Sequence, residues 1–248
     1  MARGFNGTTQ FLRRTEAIIT VVPLSFSAWV NFSSNANGTV FSITSAVDDV
    51  NYLTGFYYQP TAEFWTYHSS AGVSWSAGAL TVTTGVWVHV AGVFSSNSSR
   101  TTYVNGVAAA ANTFACSNIS GASRTSIGLL DRASPFGYFP GRIAELGIWS
   151  AALNAAEFKA LSNGTTPPQI RATSLAGYWP LGGRYGQSDR DRWRNGYDMT
   201  AQNSPTWADH PRIVYPQPMG LPSRVVSAGG VAKPVLFHSY YMSQGMRP

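Results

Sequence analysis

The chain has 248 residues, of which 11% are charged and 13% aromatic, with eight Trp and a formal net charge of +6. So little charge, with Gly, Ser, Thr, Asn and Ala abundant, argues against a long-helix protein, and the length suits one large all-β domain with an appendage. The single cysteine, Cys116, excludes an intrachain disulfide. No run approaches the ~18 apolar residues of a membrane span. The first residues lack the ~7–15-residue apolar core of a signal peptide, so a soluble protein made in a cytoplasm is expected.

Taken in order, the first 150 residues read as strand after strand. In Leu24–Phe32, Phe26, Ala28, Val30 and Phe32 share one face and Trp29 takes the other. Strand-like runs at 39–43, 53–58, 63–67 and 73–76 follow, separated by Gly, Pro, Asn or Ser. The run 86–94 is apolar on both faces, which suits a central strand. Asn105-Gly106 between two strand-like runs is a hairpin signal. The run 125–130 leads through a loop at 131–136 into a buried strand at 139–149, where Gly141 and Gly147 mark bulges or close approaches.

One helix is explicit. Asn154 as N-cap and Glu157 three residues on form a capping box, and Leu153 with Phe158 a hydrophobic staple. Asn163-Gly164 and then Pro167-Pro168 stop it. So short a helix suits plugging an edge or end of a sheet. After it, the run 175–181 returns to the core as a strand.

From 184 onward periodicity fades and breakers accumulate, so the expected organisation is a sandwich at 1–183 and an extended Arg/Pro/Gly-rich arm at 184–248. The charge divides in the same sense. Residues 1–164 carry eight Lys/Arg against seven Asp/Glu, and residues 165–248 nine against four. Such a segment buries little alone and is expected to be held by neighbouring copies or another protein. Its candidate interface residues are Arg184, Arg190, Arg192, Trp193, Arg194, Arg212, Tyr215, Phe237, Tyr240 and Tyr241. The alternation of Arg with Asp189 and Asp191 suits protein–protein ion pairs better than nucleic acid, which favours one-sign clusters.

Several phrases line up in order: Phe5-Asn-Gly7, Phe26-Ser-Ala-Trp29, Trp87-Val-His-Val-Ala91, Tyr103-Val-Asn-Gly106, Ser126-Ile-Gly128, Gly141-Arg-Ile-Ala-Glu145, Leu146-Gly-Ile-Trp149 and Tyr178-Trp-Pro-Leu181. As a set they resemble the laminin-G-like members of the concanavalin A-like lectin/glucanase superfamily over residues 4–183. The resemblance implies an all-β, two-sheet antiparallel jelly roll with N- and C-terminal strands side by side, Phe5 and Trp179 marking the closure. The stretch 204–216 resembles the tails of such domains in tailed-bacteriophage virion proteins. That likeness implies a non-enzymatic virion structural protein, a capsid decoration or cement protein anchored by its arm to other copies and to capsid or tail proteins.

Glucanases of this superfamily carry Glu-x-Asp-x-Glu on one strand, a pattern absent here. Asp48 and Asp49 point to opposite faces if extended, and Glu145 stands alone, so no catalytic residues are assigned and no enzyme is expected. Calcium, common among the relatives, is an open alternative with Asp48, Asp49 and Asp131 as loop acids, and no other cofactor is implied. Tyr52, Phe56, Tyr57, Tyr58, Phe64, Trp65, Tyr67 and Trp75 crowd one hairpin region, and a pleated strand exposes alternate members. Of these, Tyr52, Tyr57, Tyr58, Trp65, Tyr67 and Trp75 are the carbohydrate-binding candidates. They support the alternative reading, a lectin-like adhesion module for host surface glycans, on a phage tail or fibre or elsewhere.

Overall fold

A computed structural model describes residues 2–58, 61–71, 73–182, 190–193 and 196–213. Arg184, Arg194, Tyr215, Phe237, Tyr240 and Tyr241 lie outside the described residues, as do the side chains of Tyr58 and Trp75. The described strands form two sheets with antiparallel pairing throughout.

The first sheet runs β11 (Val107–Ala108), β10 (Ser99–Val104), β9 (Val88–Ser96), β3 (Leu24–Phe32), β13 (Pro140–Trp149), β1 (Ala2–Asn6), β16 (Thr206–Ala208), with β14 (Leu175–Trp179) also on β13. The second runs β15 (Thr200–Gln202), β2 (Phe11–Arg14), β12 (Ala122–Ile127), β4 (Gly38–Ser45), β5 (Tyr52–Tyr58), β6 (Glu63–Ser70), β7 (Val73–Ser76), with β8 (Leu80–Thr81) on β6. This is the expected all-β jelly-roll sandwich.

Period-2 alternation builds the core between the sheets. Phe26, Ala28, Val30 and Phe32 of β3 face Phe41, Ile43, Leu53, Tyr57 and Phe64 of the second sheet, all essentially without solvent exposure. Each of the Phe, Val, Ile and Leu side chains among them, fully buried, stabilises by roughly 1.5–3 kcal/mol. Gly55 is dictated by this packing, since a Cβ there would lie 2.7 Å from the Phe26 ring.

One break in the alternation carries meaning. Ile143 and Leu146 both face the core although three residues apart, so β13 must hold an extra residue. The register with β3 slips between Ala144 and Gly147, and Glu145 adopts φ 54° there. Below the bulge β13 pairs with β1, and above it with β14. Phe5 and Trp179 are both buried, but their strands therefore lie end to end along one edge of β13. The strand that lies beside β1 is β16, through Ala2↔Ala208 and Gly4↔Thr206.

Helix α1 (Ala155–Ser162) carries the expected capping box: Glu157 N–H donates to Asn154 Oδ1 at 3.0 Å, and Asn154 N–H to Glu157 Oε2 at 2.7 Å. Its position differs from expectation. Phe158 and Leu161 pack on Ala91, Val93, Tyr103 and Trp149, so the helix seals part of the outer face of the first sheet instead of plugging an edge. The apolar outward residues of β9, β10 and β13 supply the reason, because they need a cover.

The C-terminal segment also departs from expectation. The compact unit runs Met1–Tyr215, well past the boundary expected at 183. Asp191 is buried, and instead of pairing with arginine it accepts the N–H groups of Tyr178 and Trp193, each at 2.9 Å, and of Tyr197 at 3.2 Å. Strands β15 and β16 then add one edge to each sheet. Arg190, Arg192 and Arg212 are exposed, while Trp193 packs partly against the cluster under α1.

Candidate functional site

The hairpin β5–β6 sets the site. Its register places Phe56 opposite Trp65 and Thr54 opposite Tyr67, with Tyr52 opposite Ser69. Leu53, Tyr57 and Phe64 point into the core, so alternation turns Tyr52, Thr54, Phe56, Trp65 and Tyr67 to the outer face of the second sheet. The Tyr52 and Tyr67 rings stack at 5.7 Å between centroids and 11° between planes. Burial first, and then the neighbouring Tyr67 phenol, push the Tyr52 hydroxyl above its ordinary pKa. Trp65 Nε1 donates to Glu63 Oε2 at 3.3 Å, which orients the indole.

The second wall is the loop after β12. Gly128, at φ 85°, turns the chain back over the outer face, where Ser42 Oγ and Thr44 Oγ1 donate to the carbonyls of Leu129 and Asp131, each at 2.7 Å. Asp131 is the anchor and is fully buried. It accepts from Arg13 Nε at 2.6 Å and Nη2 at 2.7 Å, Arg124 Nη1 at 3.2 Å and Ser126 Oγ at 2.7 Å. The hydrogen bond to Asp131 raises the Arg13 pKa further.

Arg132 follows, donating through Nη1 to Asp49 O and through Nε to Ser134 O, each at 3.1 Å. Ser134 N–H donates to Asp49 Oδ1 at 2.7 Å, the main reason the Asp49 carboxyl titrates below its ordinary value. These contacts clip the 46–51 and 131–136 loops together beside Tyr52, with the Arg132 guanidinium 5.7 Å from its ring.

Between hairpin and loop lies a cleft of about 210 Å³ lined by Tyr52, Thr54, Phe56, Trp65, Tyr67, Leu130, Arg132 and Phe136. Phe136 is 44% exposed and sits 5.8 Å from the Phe56 ring. Rings, hydroxyls and one fixed guanidinium suit a ligand with both apolar faces and polar edges. The lining contains no carboxylate, so it holds no pair of groups for acid–base glycoside cleavage.

Of the sequence candidates, Tyr52, Trp65 and Tyr67 meet here. Tyr57 does not: it is fully buried, with its hydroxyl donating to Asn35 Oδ1 at 2.5 Å. Thr54, Leu130, Arg132 and Phe136 are not among the sequence candidates, and Phe56 belongs only to the wider aromatic cluster of the hairpin. Strict alternation outward from the core-facing Leu53 would have selected Thr54 and Phe56 over Tyr57. The calcium candidates are otherwise engaged. Asp131 is closed off by two arginines, against its expected place as an open loop acid. Asp48 Oδ1 caps the turn through Val50 and Asn51 N–H at 2.9 Å. Burial alone would raise the Asp48 pKa, but hydrogen bonds from Ser45, Val50 and Asn51 together lower it. Among the described residues no group of three or more His, Cys, Asp or Glu is placed to hold a metal ion.

Glu145, read as solitary, has two partners. Tyr178 Oη donates to its Oε2 at 2.6 Å, and His210 Nε2 lies 3.1 Å from its Oε1.

Two antiparallel sheets packed over one core, with helix α1 on part of the outer face of the first, define a jelly-roll β-sandwich. The chain belongs to the concanavalin A-like lectin/glucanases superfamily, a laminin-G family model of which matches residues 6–159. Among solved structures it is similar to a putative carbohydrate binding protein from Bacteroides ovatus, with 18% identity and TM-score 0.58 over 83% of this chain and 59% of that one. It is also similar to domain 4 of AbnA, an extracellular arabinanase from Geobacillus stearothermophilus solved with arabinotriose, with 23% identity and TM-score 0.54 over 65% of this chain and 76% of that one. A third is the CBM40 of a Ruminococcus gnavus IT-sialidase bound to α2,3-sialyllactose, with 12% identity and TM-score 0.54 over 65% of this chain and 98% of that one. A search of curated proteins found no match.

Proposed function

We propose that the protein is a non-catalytic carbohydrate-binding module whose groove between the β5–β6 hairpin and the 129–136 loop receives a glycan. The observation that carries this reading is the outward row Phe56, Trp65 and Tyr67, faced by Phe136 and Arg132 and covered by no element among the described residues. Sugar rings present C–H faces to aromatic rings and hydroxyl edges to donors such as a guanidinium, and this lining offers both. Several structural neighbours, named for carbohydrate binding, support the class.

The virion reading has less to stand on. Its arm was to begin at 184, yet β15 and β16 pair within the sandwich, and 214–248 lie outside the described residues. None of the three similar structures named above is a phage, capsid or tail protein.

A glycan array with the full chain tests the proposal, followed by titration of the best binder against Trp65→Ala and Phe136→Ala. Losses of tenfold or more in both variants, with unchanged unfolding temperatures, are expected. No bound glycan, or binding indifferent to both substitutions, would overturn it.

A further inference from the structure

The groove between the β5–β6 hairpin and the 129–136 loop has a polar complement of one kind. Tyr52, Phe56, Trp65, Tyr67 and Phe136 of its lining are aromatic, and Arg132 alone is charged.

Most of its other hydrogen-bonding groups are already spent. Thr54 is buried, with Oγ1 donating to Phe41 O at 2.6 Å. The Trp65 indole N–H goes to Glu63. Tyr52 is buried as well, and its hydroxyl stands near those of Ser69 and Tyr67. Arg132 gives Nη1 to Asp49 O and Nε to Ser134 O, and Nε also lies 3.4 Å from Asp49 Oδ1. Its Nη2 bonds nothing among the described residues, and the guanidinium sits half-buried beside the Tyr52 ring.

What remains is a donor without an acceptor. The lining side chains include no carboxylate, amide or imidazole to take the proton of a sugar hydroxyl, so only phenol and threonine oxygens are left. A guanidinium donates and never accepts. Each hydroxyl of a neutral sugar placed against it accepts one bond but must still find a partner for its own proton. A carboxylate or a sulfate ester only accepts, and its charge-assisted bonds to a guanidinium are roughly twice as strong as neutral ones.

Long-range attraction contributes little to such a preference. Around the loop, Arg13, Arg124 and Arg132 balance Asp48, Asp49 and Asp131. Asp131 is closed by Arg13 and Arg124, Asp48 caps its own turn, and Asp49 accepts from Ser134 N–H. The preference therefore rests on contact with Arg132, whose planar fork is held in place by two main-chain carbonyls before any ligand arrives.

We infer that the groove selects an acidic glycan, with a carboxylate or sulfate group on Arg132 Nη2 and a sugar ring along the aromatic row. This rests on the carbohydrate-binding reading of the same groove and narrows it to one class of sugar.

The test takes the best binder from the glycan array of the full chain and prepares its backbone in neutral, uronate and sulfate-ester forms. Each form is titrated by calorimetry into wild type, Trp65→Ala and Arg132→Gln. The readout is the ratio of acidic to neutral affinity, which a loosened loop does not move because it weakens both forms. Wild type should bind at least one acidic form tenfold or more tighter than the neutral one, a result that needs no variant. Arg132→Gln should cut that ratio below threefold, whereas Trp65→Ala should weaken all forms and keep it. Equal wild-type affinities, or a preference that survives Arg132→Gln, would overturn the inference. Neutral binding that still needs Trp65 would then leave the groove standing as a neutral-sugar site. Acidic binding indifferent to Trp65 would move the anion to another surface and overturn the inference as well. An array with no binder removes the carbohydrate reading and the inference with it.

Discussion

The outer faces of the two sheets begin from the same rule and end differently. On both, alternation turns aromatic side chains outward: Tyr103, Trp149 and Tyr178 on the first sheet, Phe56, Trp65 and Tyr67 on the second. On the first sheet they are covered by Phe158, Leu161 and Leu153, and Trp149 is fully buried with its Nε1 donating to Ile170 O at 2.8 Å. On the second sheet, among the described residues, the 129–136 loop packs beside them and leaves a cleft. The covered aromatics need no explanation beyond packing. The half-buried ones do, because apolar surface left accessible beside a fixed polar rim marks an interaction site.

The comparison breaks most sharply at Phe158. Phe158→Ala should cost about 3–5 kcal/mol by leaving a cavity between α1 and the Tyr103 ring, now 4.3 Å away. Denaturant unfolding would read this loss, and glycan affinity at 25 °C should stay within twofold. A parallel fall in affinity would mean that the two faces are coupled.

Acid should separate them next. His89 is fully buried on the first sheet, with Nε2 2.8 Å from Ser27 Oγ, and burial lowers its pKa to about 3. His68 is lowered to about 4, by burial first and then by the charge of Arg100. Both folded values lie below the unfolded value of about 6.5, so below that pH the unfolded chain binds more protons. Stability is then complete above pH 6.5 and falls as acid is added, by roughly 2–4 kcal/mol between pH 7 and 5 for the two together. The groove lining contains no histidine or carboxylate, so affinity for a neutral glycan should stay flat over the same window. Stability unchanged to pH 5 would contradict the neutral buried imidazoles.

On the less covered face, Trp65→Ala should weaken glycan binding by about 1.4–2 kcal/mol, roughly 10- to 30-fold, through loss of a ring contact. Stability should change by less than about 1 kcal/mol, since Trp65 is only half-buried. A large stability loss with no change in binding would move Trp65 into the class of covered aromatics.

These regions were legible to different degrees, for physical reasons. The sandwich core was readable because β3 and its neighbours keep a clean period of two, and α1 because its capping pair lies three residues apart. Three of the eight residues lining the groove, Tyr52, Trp65 and Tyr67, were readable because they crowd one hairpin. Arg132 and Phe136 reach it only because a loop folds back over another strand, and no local pattern records that. Glu145 and His210 are 65 residues apart, and β15 and β16 have three residues each, too few for periodicity to show. The break in alternation between Ile143 and Leu146 was visible in the sequence, but not the partner it would acquire.

The smallest predicted effect concerns Tyr57, a sugar-contact candidate that the structure turns into the core. Tyr57 and Tyr67 sit on adjacent strands, and both were candidates for sugar contact. Tyr57 points inward, packed 4.3 Å from the Phe32 ring, with its hydroxyl bonded to Asn35. Tyr57→Phe removes that hydroxyl and keeps the ring, so it should cost about 1 kcal/mol of stability, the worth of one hydrogen bond, and leave glycan affinity untouched. Tyr67→Phe should do the reverse, because the Tyr67 hydroxyl belongs to a ring that lines the cleft. If Tyr57→Phe lowers affinity while Tyr67→Phe lowers only stability, the register of the β5–β6 hairpin is off by one. A one-residue slip would turn every side chain of the pair to the opposite face, and the open aromatic face would then belong to different residues.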